Sequence, residues 1–146
     1  MVAGTLLSDV RSRSQARLRA LGLLARPLQH VVRDVMDGFA LDIEFQPDLG
    51  LYVARVEADY PDVLIVDVDL AGGLVTLSPF ARSLCPNLKL VAVTCYWSER
   101  DEGLREYADA VVHKPPRRNE WEAALDRLGL PRVVTSAFTP GDGQAN

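Results

Sequence analysis

Cysteine is almost absent from this 146-residue chain: Cys85 and Cys95 are its only two, without CxxC spacing and without histidine at metal-ligand spacing. Neither a zinc site nor a disulfide framework is therefore indicated, and a reducing compartment fits. Histidine is equally scarce, with only His30 and His113. His30 is expected on the outer face of a helix, and both imidazoles are read as solvated or locally bonded. An excess of positive charge is missing too, since 16 Lys and Arg stand against 20 Asp and Glu, a net charge of -4. No basic field for wrapping nucleic acid results, and the local cluster Arg11, Arg13, Arg17 and Arg19 reads as a solvated extension. No apolar run approaches membrane-spanning length and no signal-peptide core opens the chain, so neither a membrane nor nucleic acid is an expected partner. The expected location is the cytoplasm.

What the chain has in quantity is apolar side chains, 48% of the total, enough for one buried core. One domain over residues 18–130 is expected, preceded by an extension at 1–17 and followed by a flexible tail at 131–146. Residues 18–24 are short, apolar and closed by Pro27, consistent with a first strand. Leu28, Val31, Val32, Val35, Met36 and Phe39 recur at helical spacing, and Gly38 marks the end of that helix. Leu41, Ile43 and Phe45 alternate with Asp42, Glu44 and Gln46, the period of a half-buried strand near the sheet edge. Leu49, Tyr52, Val53, Val56 and Tyr60 restore the helical period until Pro61 stops it.

The stretch Pro61-Asp62-Val63-Leu64-Ile65-Val66-Asp67 organises the rest. Four apolar residues running into a carboxylate suit a central parallel strand, buried on both faces, that surfaces at its carboxyl end. Leu77, Phe80, Ala81 and Leu84 then mark a helix ending near Pro86, and residues 88–94 a fourth buried strand. Ser98 with Asp101 suggests a capped, charged helix reaching about Ala108. Trp97, at its start, reads as half-buried packing. Val111 and Val112 form a short fifth strand, and Asn119 with Glu122 suggests a capping box for a last helix. That helix faces Trp121, Ala124, Leu125 and Leu128 inward and stops at Gly129. Strand and helix thus alternate five times over short connections. The expected fold is α/β, a flavodoxin-like doubly wound parallel sheet of five strands in the order 2-1-3-4-5, with helices on both faces.

Three polar residues fall at the carboxyl ends of consecutive central strands: Asp67, Thr94 and Lys114. Asp67 as nucleophile, Thr94 as donor to a phosphoryl oxygen and Lys114 as counter-charge could handle a phosphoryl group. With this ordered set the sequence resembles the CheY-like receiver domain of bacterial two-component response regulators over about residues 18–130. The stretch from Pro61 to Asp67 resembles the phosphoacceptor strand, Val93-Thr94 the switch strand, and Tyr107 through Lys114-Pro115 the segment ending in the family's Lys-Pro.

The resemblance implies that an aspartate takes a phosphoryl group from a histidine kinase with help from Mg²⁺, and that the Thr and Lys read the new charge. The sequence departs from that pattern where the family carries an acidic pair, reading Leu24-Ala25-Arg26-Pro27-Leu28. Asp67 offers too few oxygens for a strong Mg²⁺ site unless Asp69 turns inward. Arg26 could instead reach Asp67 or Asp69 as a fixed ion pair standing in for the metal. Val111 stands at the place of the aromatic toggle.

The reading is a stand-alone degenerate receiver that signals through protein association, is not an enzyme and carries no cofactor. Its partner is a signalling protein, for instance a histidine kinase or phosphotransfer protein, with a homodimer through the fourth helix, fifth strand and fifth helix as a further expectation. The alternatives are a working single-domain response regulator phosphorylated on Asp67, and a flavodoxin-like small-ligand module. The last is weakened because no Gly-rich phosphate loop follows the first strand.

Overall fold

A computed structural model describes residues 17–71, 74–95 and 101–133. Five strands, β1 (Leu18–Leu23), β2 (Leu41–Phe45), β3 (Val63–Asp67), β4 (Lys89–Cys95) and β5 (Ala110–Lys114), pair in parallel in the order β2-β1-β3-β4-β5. Helices α1 (Arg26–Val35), α2 (Leu49–Asp59), α3 (Val68–Ala71), α4 (Leu74–Leu84), α5 (Asp101–Leu104) and α6 (Arg118–Arg127) connect and follow them. The expected architecture is therefore the observed one.

Alternation along the strands divides the apolar side chains into two cores, one on each face. Ile65, Val91, Val93 and Val112 meet Val32 and Val35 of α1, Met36 at its C-cap, and Trp121, Ala124 and Leu125 of α6. On the other face Leu64, Val66, Leu90 and Ala92 meet Tyr52 and Val56 of α2 and Leu77 and Ala81 of α4. A strand buried on both sides has no polar face to spare, which is why β3 and β4 read as unbroken apolar runs.

Some local expectations fail. Val31, placed on the buried face of α1, is 41% exposed. At 100° per residue it lies roughly 60° from Leu28, on the far side from Val32 and Met36, so it falls outside the stripe that those residues centre. Leu49 and Tyr60 are likewise exposed at the two ends of α2. Asp48 caps α2 instead, accepting from Leu51 N–H at 3.0 Å. The box at Asn119 is not formed. α6 begins a residue earlier, with Arg117 in the cap position and Asn119 Oδ1 bonded to Glu120 N–H at 2.9 Å. Glu122 turns to the Arg118 guanidinium at 3.6 Å. The charged helix expected up to Ala108 ends already at Leu104, the last residue of α5, where the Glu106 and Tyr107 N–H groups bond back three residues to Gly103 and Leu104. Ser98 and Trp97 lie outside the described residues.

Past α6 the chain stays attached for three more residues than expected. Ala40 N–H donates to Pro131 O, and Val133 N–H to Gly38 O, both at 2.8 Å. Arg132 stacks on the Phe39 ring, 4.3 Å from its centroid, and pairs with Asp126 at 2.7 Å.

Candidate functional site

Register alone gathers the site. β3 and β4 pair with Asp67 opposite Val93, and β4 and β5 with Thr94 opposite His113 and Cys95 opposite Lys114. The polar residues at the three strand ends therefore share one edge. Asp67 is 3% exposed and Thr94 3%, both far more enclosed than loop residues of their kind.

A buried carboxylate needs compensation, and Asp67 has it. The Lys114 Nζ sits 3.0 Å from Asp67 Oδ2 and 3.2 Å from Oδ1, and Asp69 N–H donates to Oδ1 at 3.0 Å. The same ammonium lies 3.2 Å from Asp69 Oδ2. Lys114 thus bridges the two carboxylates that follow one another around the β3–α3 turn. Partial burial pulls its pKa down, but the hydrogen bonds to Asp67 and Asp69 and their charges outweigh that and hold it above the ordinary lysine value. Asp69 keeps its side chain 48% exposed and also meets the Cys95 Sγ at 3.8 Å.

Arg26 does not take part: it is exposed and forms no ion pair with Asp67 or Asp69. Its place at the first turn of α1 aims it outward, and Lys114 already supplies the counter-charge considered for it. Leu24 is fully buried in the core, and its carbonyl accepts from Gln29 Nε2 at 3.0 Å. Ala25, the helix cap, brings no side-chain oxygen. A hard divalent cation takes about six oxygen ligands. Here two carboxylates are already shared by an ammonium, and among the described residues no group of three His, Cys, Asp or Glu could hold a metal.

Sequence reasoning missed one neighbour. His113 Nδ1 lies 2.6 Å from Glu120 Oε2, so the residue before Lys114 is tied to the first turn of α6. The signal was available as an acid early in that helix, seven residues downstream. His30 is exposed on α1, as its position implied.

No protein-family model and no curated protein sequence matches the chain. Solved structures do. A CheY-like receiver domain from Methanospirillum hungatei JF-1 is similar at 21% identity and a TM-score of 0.64, over 78% of this chain and 95% of that one. A response regulator from Thermotoga maritima is similar at 13% and 0.66, over 77% and 97%. A protein described as pilus assembly-related, from Burkholderia pseudomallei K96243, is similar at 23% and 0.57, over 78% and 90%. Identities this low speak for the fold and not for the activity. With its strand order and its solved neighbours in agreement, the chain has the CheY-like receiver fold of response regulators.

Proposed function

We propose that this protein is a degenerate receiver, a signalling module of the cytoplasm that works by binding a partner protein, with phosphorylation of Asp67 absent or inefficient. One observation carries the reading: the Lys114 ammonium bridges Asp67 and Asp69, the two carboxylates a divalent ion would need, and Leu24 and Ala25 add no further acid. Phosphoryl transfer depends on neutralising the charge that spreads over the moving group. A single ammonium already engaged by two carboxylates supplies little of that, so the barrier stays higher by several kcal/mol, on the order of what a catalytic ion contributes. The partner is a signalling protein such as a histidine kinase or phosphotransfer protein; a homodimer through α5, β5 and α6 is the other mode of association this fold offers.

The test is incubation with acetyl phosphate and MgCl₂ followed by intact-mass measurement. The reading predicts unmodified protein. A phosphate adduct that disappears in Asp67→Asn would instead establish a working single-domain regulator, the role that the shared edge of Asp67, Thr94 and Lys114 would support.

A further inference from the structure

β2 is an edge strand, bonded only to β1, and its register tells which of its backbone groups are taken. Leu18 N–H donates to Ala40 O at 3.0 Å and Gln46 N–H to Gly22 O at 2.8 Å. In a parallel ladder this turns residues 40, 42, 44 and 46 toward β1, and the N–H and C=O groups of Leu41, Ile43 and Phe45 toward the open edge. Two of the three acceptors on that edge are covered. Leu41 O accepts from Arg17 at 2.9 Å and Ile43 O from Arg33 at 3.5 Å. Leu41 N–H is satisfied by Phe39 O. The N–H groups of Ile43 and Phe45 bond nothing among the described residues. The edge thus presents two donors against one open acceptor, the Phe45 carbonyl, to which no described residue donates.

Charge points the same way. A cavity of about 570 Å³ beside this edge is lined by Arg17, Arg19, Arg33 and Arg55. Asp42 neutralises Arg17, and Glu44 and Asp59 both pair with Arg55. That leaves two guanidinium groups with no carboxylate among the described residues. Arg19 bonds only the Asp59 carbonyl at 3.2 Å, and Arg33 bonds the Ile43 carbonyl and stacks on Phe45, 4.9 Å from the ring centroid. A second copy of the chain would bring arginine against arginine. The edge is therefore unsuited to pairing with itself and suited to an acceptor-rich, negatively charged strand.

We propose that the β2 edge is the docking groove for an acidic, extended segment of a partner protein. Its carbonyls accept from the Ile43 and Phe45 N–H groups, and its carboxylates pair with Arg33 and Arg19, a case of strand addition with charge setting the specificity. The proposal rests on the reading of this protein as an association module and adds where the partner binds and what chemistry it brings.

The experiment titrates the ¹⁵N-labelled full chain with a capped hexapeptide alternating Glu and Val, and with its Lys-Val counterpart. The acidic peptide should bind, weaken with added salt, and move the Ile43 and Phe45 amide signals most; Arg33→Gln should lower its affinity about tenfold, the scale of one charge-assisted hydrogen bond. Equal binding of both peptides, shifts centred away from β2, or an affinity unchanged in both Arg33→Gln and Arg19→Gln would each overturn the groove. The Asp67→Asn variant should bind the acidic peptide as well as the parent does. The two readings therefore fail separately: a phosphate adduct on Asp67 leaves the groove standing, and a failed titration leaves the inert site standing.

Discussion

An ammonium held between two carboxylates is a charge balance that responds to mutation and to pH in calculable directions. Lys114 is 21% exposed and Asp67 4% in their side chains, so removing the lysine leaves a carboxylate with almost no access to water. Lys114→Met should cost about 2–3 kcal/mol, somewhat below the loss for a fully buried pair because Asp67 keeps the Asp69 N–H bond. Adding Asp67→Asn to it should recover most of that loss, since the pair is then neutral on both sides; urea unfolding of the three variants checks both statements. The pH dependence follows from a lysine pKa raised on folding. Its contribution is complete below the unfolded value, near 10.5, and disappears as pH rises through the higher folded value. The stability gap between the parent and Lys114→Met should thus stay level up to about pH 10 and close only above it.

At the scale of elements, one buried hydroxyl ties α2 to two strands of the sheet. Tyr52 is fully buried, and its OH donates to or shares the carbonyls of Leu21 at 2.9 Å and Ile65 at 3.2 Å, on adjacent strands. Burial pushes that phenol well above its ordinary pKa, so it remains a neutral donor across the range in which the protein folds. Tyr52→Phe should lose about 1 kcal/mol with the fold retained, measurable by urea unfolding. The elements themselves were legible in the sequence because each central strand is an apolar run and each helix carries a stripe. Their ends were less so. A box read at Asn119 and Glu122 competes with an earlier start at Arg118, and local spacing cannot weigh the two. The site divides the same way. That Asp67, Thr94 and Lys114 share an edge follows from strand order, which the pattern carried. That Lys114 rather than Arg26 reaches Asp69 depends on how α1 leaves β1, a matter of packing. The donor-rich edge of β2 also waited for the register, since alternation places Leu41, Ile43 and Phe45 on one face but does not say which carbonyls an arginine covers.

For the molecule as a whole, the end of the described chain closes over the segment between α1 and β2. Residues 131–133 bond residues 38–40, and Arg132 ties the Phe39 ring to Asp126. The hydrogen bond from Arg132 draws the Asp126 carboxyl below its ordinary pKa, so this tie is complete above that value, 3.8, and is released as pH falls through the lowered one. In Arg132→Ala the Ala40 and Val133 amides should exchange with solvent faster, while those of β3 and β4 keep their protection.

At the other end of the sheet, the degenerate-receiver proposal requires that Lys114 keep Asp67 and Asp69 from a divalent ion. The most direct test is a magnesium titration of the ¹⁵N-labelled parent protein, read at the amides of Asp67, Asp69 and Lys114. The account predicts only small, non-saturating shifts with no focus on these residues. Saturable binding centred on Asp67 and Asp69, with the Lys114 amide moving in step, would contradict it.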